Sequence, residues 1–355
     1  MATEDKFDIE AYKQQMNEPG KWIFIVPVSG VILTDDVNNE FWIKRVLLVA
    51  QKKLPRIRRR LGIPQRISDL KRSYATRFFD SAQTFAVLWH SGRSNELKNK
   101  CRRIVKDELS LLAVSQLGYS KRRFGSCPVI EGEPTMAKIN HLLINTEDTR
   151  RILEGRLIGK FEDLVLNGSW KEFHKGAFFY RLLRILKDDI RVSRSWRDDL
   201  ERAAILVGQS QCSSDVAQSF LWNMIALELL LTEQGDKYTD ALPKRIEAFL
   251  GWVGFWETDN YADKIADVYK KRCVFVHDGR REDITIQDLL FTDDLLYNLL
   301  FNLIHHIDRF PSKQAVIDFS RKVEAEHILG VKSRVRPKTL TFVSRKYSQR
   351  DYEEI

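Results

Sequence analysis

From Val216 onward, apolar positions recur at the three- and four-residue spacing of helices. Val216 to Leu231 (VAQSFLWNMIALELLL) is apolar on nearly every face and carries one carboxylate, Glu228, in its apolar half, which predicts a buried helix. After a break at Gly235-Asp236, Ala241 to Leu250 predicts a second helix, with Pro243 tolerated in a first turn and Gly251 placed to stop it. A third, from about Tyr261 to Val274, sets Ile265, Val268, Tyr269 and Arg272 on one side. Beyond the turn Asp278-Gly279-Arg280-Arg281, where Gly279 permits a positive φ, Ile286 to Ile307 gives a fourth. Together they predict a helical bundle.

The first two hundred residues have another texture, short β-like runs mixed with helices. Trp22 to Leu33 (WIFIVPVSGVIL), broken by Pro27 and Gly30, predicts a strand pair or a bulged strand, and Phe41 to Ala50 adds another. Thr84 to His90 predicts a strand turning at Ser91-Gly92, after which Ser94 caps a helix to about Leu117. Lys160 to Leu186 reads as a helical connector. The expected fold class is α+β: a mixed α/β domain over 1–195, a helical domain over 196–330 and a basic tail over 331–355.

A chain of 355 residues can bury a full core and form two domains. Its net charge of +9 and pI near 9.2 suit a polyanionic partner or simply a basic surface. Cys101, Cys127, Cys212 and Cys273 show no C-x-x-C pair, which argues for reduced thiols in a cytoplasm and no zinc site. No apolar run reaches the ~20 residues that span a bilayer, and the charged N-terminus lacks an apolar signal segment. Neither a G-x-x-x-x-G-K-[ST] loop nor a G-x-S-x-G elbow, an H-E-x-x-H helix or a zinc-deaminase signature is present. Asp293-Asp294 and Asp35-Asp36 lack the setting of a metal-dependent nuclease and read as helix caps and turns.

The candidate chemistry lies in Tyr269-Lys-Lys-Arg272-Cys-Val-Phe-Val-His277-Asp278-Gly279. An imidazole can move a proton to or from a ribose 2′-hydroxyl or a leaving 5′-oxygen near neutral pH, and a guanidinium can grip the phosphate as charge builds. On an unbroken helix, five residues would leave Arg272 and His277 about 140° apart. The β-branched and aromatic run Cys273 to Val276 is a weak helix former, so the helix is expected to end or kink between them; a two-fold copy is the other route to convergence. The bland alternative is a structural Arg272 paired with a carboxylate such as Glu228, with His277 capping a helix end. Arg321 and His327 form a second, similarly spaced pair.

Four helices with a glutamate in the first and Tyr-x-x-Arg-x-x-x-x-His-Asp-Gly at the third resemble the Apea-like branch of the HEPN superfamily, over roughly Ser214 to Ile307. The resemblance implies that Arg272 and His277 are the residues of a metal-independent ribonuclease. It implies that Glu228 orients Arg272, with Tyr269 on the same face and Asp278 as a partner for His277 or a cap. The position after the arginine is usually polar in that superfamily and is Cys273 here, a thiol able to make a weak hydrogen bond. The resemblance further implies a homodimer and a setting in prokaryotic antiviral defence or toxin systems.

Three basic segments bear on an RNA partner. Lys52, Lys53, Arg56, Arg58, Arg59 and Arg60 concentrate charge around a proline, either to steer an RNA backbone or as a solvated face. Lys98 to Lys106 reads as the wet face of an amphipathic helix. The tail from Lys332 to Arg350, with Phe342 and Tyr347, suits base stacking or a weakly ordered terminus. The expectation is an endoribonuclease that needs no cofactor or metal and yields a 2′,3′-cyclic phosphate. The alternative is a non-catalytic scaffold that binds RNA or protein.

Overall fold

The computed structural model describes residues 19–64, 66–68, 78–122, 126–131, 136–144, 151–159, 162–250, 261–331 and 342–353. The strands are β1 (Pro19–Ser29), β2 (Val31–Leu33), β3 (Glu40–Trp42), β4 (Leu47–Ala50), β5 (Thr84–Arg93), β6 (Val129–Ile130), β7 (Met136–Ile144), β8 (Arg151–Gly159) and β9 (Leu164–Leu166). The first helices are α1 (Leu54–Leu61), α2 (Ser94–Ala113), α3 (Gly168–Gly176), α4 (Phe179–Leu186) and α5 (Arg194–Cys212). They are followed by α6 (Val216–Leu231), α7 (Tyr238–Leu250), α8 (Tyr261–Asp278), α9 (Ile286–His305), α10 (Lys313–Ile328) and α11 (Gln349–Glu353). The class is α+β, as expected. Two compact units divide the chain: Met1–Leu109 with Val129–Glu133 and Val165–Asn167, and Ser110–Pro128 with Pro134–Leu164 and Gly168–Ile355.

The first unit is built on an antiparallel sheet of order β3-β4-β5-β1-β6. The run Trp22–Leu33 forms two consecutive strands, β1 and β2, separated at Gly30, whose φ of +76° suits a residue without Cβ; they are not paired with each other, since β1 joins β5 and β6 while β2 pairs with β9. Leu47, Val49, Phe85 and Val87 of the sheet pack with Leu54 and Leu61 of α1 and with Ile63, Ile67 and Phe79. Gly62, at φ +82°, ends α1. The buried carboxylate of Glu108 on α2 accepts from the backbone N–H groups of Lys44, Arg45 and Val46 at 3.0, 2.9 and 2.8 Å, tying down the β3–β4 turn.

In the second unit α6 is the central helix, packed against α5, α7, α8, α9 and α10. That placement explains its apolar circumference. Side-chain caps begin the helices: Asp215 on α6, Ser193 on α5, Ser312 on α10, and a reciprocal Thr285–Asp288 box on α9. Gly208 on α5 is required by close approach, since a Cβ there would run into the Ser110 backbone carbonyl.

Several expectations need correction. The stretch expected to be a helical connector contains β9 before two short helices, α3 and α4. α7 starts at Tyr238, three residues early, so Pro243 stands in the second turn and deprives the Thr239 carbonyl of its i+4 donor. Asp293 and Asp294 cap nothing and lie inside α9. Asp293 is buried against Arg122, which donates Nε and Nη2 at 2.8 Å each and also reaches the Ser210 carbonyl and hydroxyl. Of the basic tail, 332–341 lies outside the described residues, while 342–348 lies along the second unit. There the Asn298 side chain donates Nδ2 to the Val343 carbonyl at 2.6 Å and accepts the Val343 N–H on Oδ1 at 2.7 Å, and Arg345 binds the Gly118 and Ser120 carbonyls. Among the described residues no helix is long and apolar enough to cross a membrane.

Candidate active site

α8 runs unbroken through both Arg272 and His277, and does not end between them as expected. Burial of Ile265, Val268 and Tyr269 against the bundle outweighs the weak helix propensity of Cys273–Val276. The helix stops one residue past His277, where Gly279 takes φ +69° and its N–H donates to the Phe275 carbonyl at 3.1 Å. Five helical residues turn two side chains about 140° around the axis and move them about 7.5 Å along it. Arg272 is accordingly half-buried and His277 exposed. One chain does not bring the pair together.

What the fold does bring together is Arg272 and Glu228. Arg272 Nη2 donates to Glu228 Oε2 at 2.8 Å. Nε and Oε1 also lie 2.8 Å apart, as an ion pair without hydrogen-bond alignment. Nη1 has no acceptor among the described residues. Burial pushes the Glu228 carboxyl above the usual range, and the guanidinium opposes the shift. The Tyr269 ring lies 6.0 Å from the guanidinium; burial, then Cys273 and Glu228, raise its hydroxyl, with Arg272 opposing. Cys273 is a half-buried free thiol. Both sequence readings of Arg272 require this ion pair, so it does not choose between them.

Around His277 the surface is open. The residue makes no hydrogen bond or ion pair among the described residues, and Asp278 pairs with Arg280 at 3.3 Å instead of with it. Val274 and Phe275 are half-buried and Val276 keeps 48% of its surface exposed, so this helix end presents apolar side chains beside the two candidate residues. The end is rigidly mounted. Lys271 donates to Asp288 in the cap of α9 at 2.9 Å, and Arg281 clamps Asp215 in the cap of α6 at 2.6 and 2.7 Å.

The second pair does not converge either: Arg321 bonds Glu233 at 2.8 Å, and His327 is exposed on the same helix. In the basic segment of the first unit most charges are answered locally. Lys52 meets Asp35 at 3.3 Å, Lys53 and Arg60 share Glu40, and Arg58 donates to the Ile63 and Pro64 carbonyls at 3.2 and 2.9 Å. Arg56 and Arg59 are exposed. Among the described residues no cluster of three His, Cys, Asp or Glu side chains could hold a metal. The Arg122–Asp293 pair, joined by Gln211 and Asn223 at 3.0 and 2.8 Å, escaped sequence reading because its members lie far apart in the chain and share no motif. No family model matches the chain, and no curated protein or solved structure matches it.

Proposed function

We propose that the chain is a metal-independent endoribonuclease of HEPN type that works as a homodimer. The observation that carries this reading is the make-up of the α8 end. Arg272 is oriented by Glu228 with Nη1 unengaged, and His277 stands accessible among half-exposed apolar side chains. Because one helix cannot turn both side chains onto one phosphate, the reaction needs a second copy to complete the site across a two-fold axis. In the step itself a ribose 2′-oxygen attacks the adjacent phosphorus while His277 takes part in proton transfer. Arg272 stabilises the phosphorane oxygens, and the 5′-oxygen leaves as a hydroxyl. The products are a 2′,3′-cyclic phosphate and a 5′-hydroxyl end. DNA, lacking the 2′-hydroxyl, is not a substrate. Exposed Arg56 and Arg59 on α1 supply non-specific attraction to RNA. Placement in the cytoplasm rests on the cysteine pattern, and a role in antiviral defence or as a toxin on the sequence resemblance.

The test is incubation of wild type and His277→Ala with total cellular RNA in excess chelator, with mapping of new ends. Cleavage by wild type alone, leaving cyclic phosphates, is the expected result; a requirement for added magnesium or zinc would overturn the mechanism. The burial of Arg272 on Glu228 favours a second reading, a non-catalytic scaffold in which this helix end is only a dimer contact. In that case wild type does not cut RNA and His277→Ala loses the dimer.

A further inference from the structure

The first unit contains an open cleft of about 910 Å³ that the sequence reading did not anticipate. It forms where the sheet runs out of strands. β4 pairs with β5 only from Thr84 to Val87, so from Leu88 onward β5 has β1 on one side and, among the described residues, no strand on the other. Leu88 and Ile104 are apolar lining residues, and the C-terminal turn of α1 contributes as well.

The chemistry of the lining is one-sided. Lys21, Arg45, Arg59 and Arg60 line the cleft and, among the described residues, no carboxylate does. Arg45 has Glu108 at 3.5 Å and Arg60 has Glu40, whereas Lys21 and Arg59 have no carboxylate partner among the described residues. Trp22 and Trp89 also line it, 39% and 38% exposed. Neither ring is loose. Trp22 Nε1 donates to the Gly92 carbonyl at 2.8 Å and Trp89 Nε1 to the Leu61 carbonyl at 3.0 Å. Trp42, on β3, stacks on Trp89 with centroids 5.7 Å apart and planes 21° from parallel. The register Trp22↔His90 and Ile23↔Trp89 sets the two indoles on opposite faces of the sheet, with Lys21 on the Trp89 face. The Trp89 indole, its polar edge already bonded and its ring partly left in water on the face that carries Lys21 and α1, makes a preorganised stacking surface for a flat anionic ligand.

We propose that this cleft binds a nucleotide. The base stacks on Trp89 and the phosphate is held by Lys21 and Arg59, with Arg60 at the rim. The ligand is either a free nucleotide or one unit of a single-stranded nucleic acid, and the site stands whether or not the α8 end cuts RNA.

The experiment titrates the full chain, in chelator, with ATP, inorganic triphosphate and a 2′-O-methyl oligoadenylate decamer that 2′-oxygen attack cannot cleave. Tryptophan fluorescence and calorimetry supply the readouts. Expected are quenching by ATP or the decamer, at least tenfold weaker binding by Arg59→Glu and Lys21→Glu, and loss of quenching in Trp89→Leu, with each variant's circular dichroism unchanged. A decamer bound far more tightly than ATP identifies a strand site; equal affinity identifies a free nucleotide. Triphosphate binding as tightly as ATP, no binding of either nucleotide probe, or binding indifferent to Arg59→Glu and Trp89→Leu would overturn the proposal. The uncleavable probe keeps this outcome separate from that of the His277→Ala cleavage test.

Discussion

Replacing Arg272 by alanine removes the only cation among the described residues that faces Glu228, a carboxylate whose side chain is 11% exposed while that of Arg272 is 16% exposed. Breaking a fully buried pair costs about 3–5 kcal/mol, because the remaining charge is left without compensation; the residual exposure here places the cost near 3 kcal/mol. For a unit of this size that is a fall in Tm of about 6–12 °C at neutral pH. Arg272→Ala/Glu228→Gln removes the orphaned charge and should recover most of the loss, leaving about 1 kcal/mol for the missing contacts. The penalty of the single variant should also shrink in acid. Glu228 titrates above its ordinary value in the fold, so protonation at falling pH neutralises the buried carboxylate before its unfolded counterpart protonates. Urea unfolding of the four members of the cycle, at neutral and mildly acidic pH, reads all of this. A double variant as unstable as Arg272→Ala would refute the orphaned-carboxylate argument. The same proteins separate structure from chemistry: the double variant should be folded and inactive, and restored RNA cleavage would remove Arg272 from the mechanism.

Two titrating groups in the second unit, the buried His174 and the half-buried Asp294, give pH dependences of opposite sign. His174 lies among Trp170, Phe173 and Phe179, and burial pulls its pKa from 6.5 to about 3 against a small opposing effect of the Ser115 backbone. Below pH 6.5 the unfolded chain takes up a proton that the fold refuses, so stability should fall towards pH 3 by an amount of order 4 kcal/mol, and His174→Phe should flatten that limb. Burial raises Asp294 from 3.8 to about 7, partly offset by Arg345 and Ser344. The fold therefore binds this proton first. The contribution weakens stability as pH rises from about 4 to 7, by roughly 2–4 kcal/mol, and Asp294→Asn should be more stable than wild type at pH 8. Gly208→Ala would drive a methyl group into the Ser110 backbone, which has no rotamer to yield; a loss of at least about 3 kcal/mol in denaturant unfolding is expected.

The parts of the fold that were legible in the sequence are those where one local signal suffices. The all-round apolar run of α6, the start of β5 at Thr84 and the turn at Gly279 formed where periodicity and turn chemistry placed them, whereas β5 runs through the turn expected at Ser91-Gly92 and ends at Arg93, held by its pairing with β1. Failures came where distant residues decide. Cys273–Val276 looked like a helix end, but packing of the preceding turns on α6 and α7 carries α8 three residues past Phe275. Asp293 looked like a cap because nothing nearby in sequence neutralises it; its partner Arg122 is 171 residues away. At the candidate site the Arg272–Glu228 contact was legible and the relation of Arg272 to His277 was not, since it depended on whether one helix ended.

Charge was the least transparent signal, and the reason is physical. A net charge of +9 invites the inference that each cluster of Lys and Arg waits for a polyanion. Folding answers most of the cluster at Lys52–Arg60 with Asp35, Glu40 and backbone carbonyls, and it turns Arg345 of the basic tail onto Gly118 and Ser120. A guanidinium already bonded in this way must exchange those contacts for any phosphate it binds, which cancels much of the gain. Attraction for an anion therefore depends on cations that packing leaves unanswered, and specificity depends on a rigid neighbour that reads the rest of the ligand. In the first unit, among the described residues, Lys21 and Arg59 meet the first condition and the bonded indole of Trp89 meets the second. Neither condition is visible in a count of basic residues, because both are set by which carboxylates and carbonyls the sheet and α1 bring alongside.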